Sequence, residues 1–387
     1  MNQRVAPRLP HHRPEERDAL KARLEGGASI LMLAPRRIGK TWLLKQIDID
    51  MTKAGWLCIR IDVESTRTED EFLRALCEEI ERKQDLKKRV LSHFSQRFKQ
   101  LMLDTSSGLS QAIGKIDPRS FVETLVESLN AEKHKTLILI DEIALFILER
   151  VREDPDGTKS LLYHLRKLQQ AYENVSWFLT GSVGLDVVAR RHGFLGALLG
   201  FDTFPLEPFS EAAALSYVEE LCTTKQVVQP FQLAEGAFAY LAEQLGWLSP
   251  FYLRQIALNV RPGGKLGPGP TLPEASSADI EIALQTMLQP VHRTHFAAWE
   301  EHIIKNFEPA DKDKLKAILS VASETPDGDI EATFLARLQN SDAAVTVQNL
   351  KELLISLAND GYLVKTNNRW KFLSGLLRRY WREYHAL

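Results

Sequence analysis

Residues 29–34, Ser-Ile-Leu-Met-Leu-Ala, form a short apolar run bounded by turn residues, which predicts a buried strand. Similar runs at 56–62, 136–141 and 175–180 predict three more, and 203–206 a short fifth. Between them, apolar positions recur at helical spacing over 13–25, 41–50, 69–88, 120–130 and 161–172. In the third of these Phe72, Leu73, Leu76 and Ile80 share one face. Strands alternating with helices, and apolar on both faces, predict an α/β domain whose parallel sheet is covered by helices on both sides. Residues 92–115 are polar and give no usable period.

From residue 210 the pattern becomes helical: 211–221, 234–245, and 247–260 with a break at Ser249-Pro250. Residues 263–277 are rich in Pro and Gly and read as a linker. Residues 278–306 are helical again, interrupted near Pro290. The last part predicts helices at 312–323, 346–360 and 376–384. Two short strands, 362–365 and 370–372, flank the turn Thr366-Asn367-Asn368. Helices followed by a two-stranded ribbon suggest a winged helix-turn-helix. The expected organisation is a core at 1–207, a helical lid at 208–262, the linker at 263–277, connecting helices at 278–308 and a winged helix at 309–387. No internal repeat at solenoid periods is visible.

Composition narrows the class. The 387 residues are 44% apolar and 26% charged, with a net charge of -2, as in ordinary soluble domains. No run approaches the roughly 20 apolar residues of a membrane helix, and residues 1–14 are followed by no apolar segment of a secretory signal. Cys58, Cys77 and Cys222 are far apart in apolar or amphipathic runs, so they are expected to be reduced, buried thiols. The expected location is the cytoplasm, with no membrane partner. A near-neutral chain requires any DNA contact to come from a local patch.

Two segments carry candidate chemistry. Ala34, Pro35, Arg36, Arg37, Ile38, Gly39, Lys40 and Thr41 match GxxxxGK[ST] except that Ala34 replaces the first glycine. Strand before and helix after are the context the motif needs. Its loop N–H groups and the following helix N-terminus converge on phosphates. Lys40 would reach the β- and γ-phosphates of ATP, and the Thr41 hydroxyl would ligate Mg²⁺. Trp42, next on the helix, completes the expected nucleotide-binding segment. Alanine restricts φ, so loop geometry at Ala34 is the open point. The second segment, Leu137-Ile-Leu-Ile-Asp141-Glu142, ends an apolar strand in two carboxylates. Asp141 would hold Mg²⁺, and Glu142 would polarise the attacking water.

Other residues are expected around this pair. Thr180 and Ser182, at the end of the fourth strand, sit where ligands bind in open α/β sheets, or serve as turn and cap residues. Phosphoryl transfer also uses positive charge at the transition state. Arg190 and Arg191 are candidates, and their alternative is a solvated helix end. Arg254 is a second candidate for phosphate contact from the helical lid. Arg37 reads as a structural contact more than a catalyst. His11, His12, His292, His295 and His302 have no partners at ligand spacing along the chain, so no further metal cluster is expected.

These motifs resemble a known group. Residues 34–41, 137–142, 178–185 (Phe-Leu-Thr-Gly-Ser-Val-Gly-Leu) and 204–212 (Phe-Pro-Leu-Glu-Pro-Phe-Ser-Glu-Ala) look like those of archaeal-type ATPases, in the STAND-like branch of AAA+ P-loop NTPases. Residues 372–381 are similar to the end of that group's winged helix. The Arg-Arg inside the loop and the Gly-Ser after the fourth strand are the more specific marks. The resemblance implies an ASCE-type core, a helical lid, a C-terminal winged helix, nucleotide-controlled conformation and, often, homo-oligomers. It names no substrate beyond ATP.

The winged helix leaves its partner open between duplex DNA and a protein. Residues 361–387 hold six cations, Lys365, Arg369, Lys371, Arg378, Arg379 and Arg382, against the single acid Glu383. The expected recognition helix carries one base, Lys351, beside Glu352, with Gln348 and Asn349 as candidate base readers. Three functions fit: an Mg-dependent ATPase switch controlling a DNA or protein partner; a DNA-acting ATPase of transposition, replication or phage defence; or a nucleotide-holding scaffold without turnover.

Overall fold

The computed structural model describes residues 9–83, 117–181, 185–263, 272–307 and 309–385. The expectations for 84–88, 92–115 and Ser182, and for most of the Pro/Gly-rich linker, lie outside these residues. The described residues divide into two compact units. The core unit draws on Glu15–Ala34 and Lys40–Leu206. The carboxy-terminal unit draws on Met1–Pro14, Pro35–Gly39 and Glu207–Leu387.

In the core unit, α1 (Pro14–Glu25) ends at Gly26-Gly27, where Gly27 takes a φ of +87°. Then follow β1 (Ile30–Leu33), α2 (Lys40–Lys53), β2 (Leu57–Asp62) and α3 (Glu69–Arg82). Thr68 and Glu71 close a capping box at the start of α3. Next come α4 (Pro118–Asn130), β3 (Thr136–Asp141), α5 (Ile143–Glu153), α6 (Pro155–Ala171) and β4 (Val175–Gly181). The unit ends with α7 (Leu185–Arg191), α8 (Leu195–Leu198) and β5 (Asp202–Thr203).

The sheet is five-stranded and parallel, in the order β2-β3-β4-β1-β5. β3 and β4 are buried at every position, as strands covered on both faces must be. Ile59, Ile138, Ile140 and Trp177 join Phe72, Leu76, Phe121 and Phe146 from the helices in one apolar core. Beside it, the Glu69 carboxylate accepts from both Arg119 and Arg150, tying α3 to α4 and α5. The fifth strand is shorter than 203–206: Phe204 N–H still reaches Leu31 O, but Pro205 has no N–H to extend the ladder.

The carboxy-terminal unit opens with a 3-10 turn, Pro10–His12. It continues with α9 (Glu211–Thr223), β6 (Gln232–Leu233), α10 (Ala237–Leu245), α11 (Pro250–Asn259), β7 (Glu274–Ala275), α12 (Ser277–Leu288) and α13 (Thr294–Asn306). β7 pairs with β6, so the end of the expected linker is ordered backbone. α14 (Pro309–Glu324), α15 (Glu331–Gln339) and α16 (Val347–Asn359) precede β8 (Leu363–Thr366) and β9 (Arg369–Phe372), an antiparallel ribbon closed by Asn367 and Asn368, both at positive φ. α17 (Gly375–His385) follows. A buried aromatic group, Trp247, Tyr252, Trp299 and Tyr362, packs this unit. Its polar atoms are satisfied: Trp299 Nε1 donates to Tyr252 Oη, and Tyr362 Oη donates to Trp299 O, each at 2.6 Å. Among the described residues no helix is long and apolar enough to cross a membrane.

Candidate nucleotide site

Strand register brings the candidate residues to one edge of the sheet. Met32 of β1 lies level with Thr180 of β4, and Ile140 of β3 with Leu179. The carboxyl ends of β1, β3 and β4 therefore present Ala34, Asp141 and Thr180 side by side, at the edge where open α/β sheets bind ligands. Ala34 N–H donates to Gly181 O at 3.2 Å, which fixes the start of the loop on β4. Gly181 is required there, because a Cβ would come 2.6 Å from the Cβ of Ala144. Ala34 is not among the residues at positive φ, so its backbone is one that alanine adopts freely. The doubt attached to the missing glycine concerns a conformation the loop does not use at that position.

The unusual backbone lies further on. Arg37 has a φ of 70° and Gly39 a φ of 100°. The second demands glycine; the first holds an arginine in the left-handed region at a cost of about 1 kcal/mol. α2 starts at Lys40, whose side chain is buried and whose Nζ donates to Ala34 O at 2.9 Å. Thr41 and Trp42 are exposed on the first turn of this 14-residue helix.

Asp141 is buried at the end of β3. Its carboxylate accepts from Thr180 Oγ1 and, at 3.2 Å, from the Glu142 N–H. Glu142 itself has a φ of 57° and stands at the N-cap of α5 without making a cap bond. A glutamate in the left-handed region is uncommon, and such strain concentrates at functional positions. Asp62, which the sequence reading passed over, lies level with Asp141 on β2 and accepts from the Glu64 N–H.

Solved structures share this architecture. A Walker-type ATPase of Pyrococcus abyssi gives a TM-score of 0.66 at 18% identity, covering 96% of this chain and 95% of that one. The ORC2 protein of Aeropyrum pernix, in its ADPNP-ADP complexes, gives 0.60 at 13% identity, covering 99% and 95%. No protein-family model and no curated protein matches the sequence. The five-stranded parallel sheet in this order is the α/β fold typical of AAA+ P-loop proteins. The chain's carboxy-terminal part is a helical region followed by a winged helix.

The remaining candidates lie on other elements. Arg190 and Arg191 are exposed in the last turn of α7, where cations favour the helix dipole. Arg254 belongs to the carboxy-terminal unit, where it donates to Gln226 Oε1 at 3.1 Å. In the same unit the Arg37 guanidinium lies 4.0 Å from the ring centroid of Phe251, and burial lowers its pKa. Arg36 is half-buried, and its Nε has no hydrogen-bond partner among the described residues.

The histidines need one correction. Along the chain His11 and His12 have no partner at ligand spacing, but folding brings Glu220 to them, with ligand atoms within 4.8 Å of one another. His11 is buried and bonds Ser216 Oγ at 3.1 Å and Glu220 Oε2 at 2.8 Å, so both of its ring nitrogens are satisfied. All three cysteines are buried and free of disulfides, and burial pushes the Cys58 thiol up to about 11 and that of Cys222 to about 12.

Proposed function

We propose that this chain binds MgATP at the β1–α2 loop, hydrolyses it slowly, and uses the cycle as a STAND-like switch that controls a partner through its winged helix. The observation that carries this reading is the convergence of a buried lysine, a buried aspartate and an adjoining glutamate at the carboxyl edge of one parallel sheet. The donor set fits the ligands. Lys40 and the N-terminus of α2 supply positive charge for phosphate; the Thr41 hydroxyl and the Asp141 carboxylate are hard oxygen ligands suited to Mg²⁺. Bound Mg²⁺ would neutralise charge on the transferring phosphoryl group. Asp141 is kept in place by Thr180, and Glu142 stands one residue beyond it, in position to orient water. That the similar Aeropyrum protein holds ADPNP and ADP supports an adenine nucleotide.

The test separates binding from turnover. Glu142→Gln is expected to keep ATP binding and to lower hydrolysis by about 10²-fold or more, the usual scale for a positioned base. Lys40→Ala is expected to lose binding. Calorimetric titration and phosphate release measure the two. Hydrolysis unchanged in the Glu142 variant removes its catalytic role. Binding without turnover in the wild type would establish the scaffold alternative instead.

A protein is favoured over duplex DNA as the partner. Four of the six terminal cations already serve the fold: Lys365 pairs with Glu331, Arg369 donates to Gly328 O, Arg378 to Ser323 O, and Arg379 pairs with Glu281. On α16, Gln348 donates to Glu352, and Asn349 closes a capping box with Thr346. Val347 and Ile355 are half-exposed on the same helix, a surface suited to protein contact.

A further inference from the structure

The phosphate loop is held by its carbonyl oxygens. Ser249 is fully buried and donates its Oγ to Arg37 O at 2.6 Å. It occupies the N-cap position of α11 yet makes no cap bond, because its hydroxyl is committed to the loop. Arg13 is 2% exposed. Its Nη2 donates to Ile38 O at 3.1 Å and to Glu207 O at 3.0 Å, and its guanidinium lies 4.8 Å from the Phe209 ring centroid. Both residues belong, with Pro35–Gly39, to the carboxy-terminal unit.

Two consecutive peptide groups are therefore gripped on their oxygen side. A trans peptide is planar, with its C=O and N–H pointing in opposite directions. No cis bond occurs among the described residues. Fixing the carbonyls of Arg37 and Ile38 therefore fixes the N–H groups of Ile38 and Gly39, and turns them to the other side of the loop. Successive N–H groups turned to one side, across residues of positive φ, form an anion-binding concavity.

We propose that Arg13 and Ser249 are positioning residues that preorganise the phosphate-binding N–H groups of Ile38 and Gly39. This rests on the nucleotide reading above and deepens it. It places the determinants of phosphate affinity on two side chains outside the motif. Without the Ser249 hydroxyl the Arg37–Ile38 peptide is free to rotate, and its N–H no longer has a fixed direction. Arg13 does the same for the next peptide, and also ties the loop to the first residue of the chain's return at Glu207.

The experiment uses the full chain and measures ADP and AMP affinity by calorimetry for the wild type, Ser249→Ala and Arg13→Gln. AMP lacks the β-phosphate. ADP binding is expected to weaken about tenfold in either variant, the worth of one hydrogen bond to a charged group, and AMP binding to change less than about twofold. The Gly39 amide resonance should shift in unliganded Arg13→Gln, before any nucleotide is added. Unchanged ADP affinity in both variants overturns the proposal. So does an equal loss for ADP and AMP, the mark of a merely structural role. Should Ser249→Ala not fold, Arg13→Gln and the Gly39 amide decide alone. A wild type that binds no ADP refutes the nucleotide reading itself, a result distinct from either failure.

Discussion

Ala34 and Thr180 show how single residues at the site are constrained. Ala34 occupies the first glycine position of the motif but needs no positive φ. Ala34→Gly is therefore expected to leave ADP affinity within about twofold and to lower stability by about 0.5–1 kcal/mol through added freedom in the unfolded chain; urea melts and calorimetry check both. Thr180 donates to the buried carboxylate of Asp141. Thr180→Val keeps the volume and removes the donor, which is expected to cost about 1–3 kcal/mol. A urea midpoint equal to that of the wild type would show that the hydroxyl does not support Asp141. Lys40, Thr41, Asp141 and Glu142 were legible as candidates because the phosphate and metal chemistry proposed for them requires those residue types at fixed spacing. Arg13 and Ser249 were not, since each acts on a carbonyl brought near only by folding. A pattern of side chains says nothing of which peptide oxygen will be held.

At the scale of elements, the buried strands read well because they are continuous apolar runs ending in turn residues. α5 and α15 did not. Ile143–Glu153 opens with six residues that are all buried, so it lacks the alternation of buried and exposed positions that marks a surface helix. Its start is also hidden by the left-handed Glu142. β6 and β7 pair only two residues each, too short to have a period. The basic tail is a different case. Counting charges ignores their partners, and Arg379, placed on α17, is spent on Glu281 of α12. The Glu281 carboxylate also accepts from Tyr240 Oη at 2.7 Å. Burial alone would raise its pKa, but the bonds from Arg379 and Tyr240 outweigh that and hold it below the usual glutamate range. A lowered folded-state value stabilises fully above the unfolded value, near pH 4.3, and the gain is lost as pH falls through the folded value. Glu281→Gln is thus expected to be less stable than the wild type by about 1 kcal/mol at neutral pH, with the gap closing as pH falls through the folded value. Urea midpoints across that range measure it. Duplex DNA binding should also be weak. Of the six cations in residues 361–387, the contacts above leave Lys371 and Arg382, so this segment should add no more than about −2 to the slope of log affinity against log salt, and DNA should not stimulate hydrolysis. A steeper slope would return the winged helix to the DNA reading.

The whole molecule is bound together by its chain path. The polypeptide passes between the two units after Pro14, Ala34, Gly39 and Leu206, so neither unit is one continuous segment. Most two-domain chains cross once, and their domains can unfold independently. Here the loop residues Pro35–Gly39 take their contacts from one unit while β1 and α2, on either side, belong to the other. Melting the carboxy-terminal unit releases Arg13 and Ser249 from the loop; melting the core frees the ends on which that loop is strung. Calorimetry should therefore show one transition, with the van't Hoff enthalpy close to the calorimetric one. ADP at about a hundred times its dissociation constant should stabilise that single transition by about 2.7 kcal/mol, and should leave Lys40→Ala unmoved. Two resolved transitions, only one of them shifted by ADP, would show that the crossings do not couple the units. The proposed switch would then have to act through a contact the nucleotide creates, not through the path of the chain.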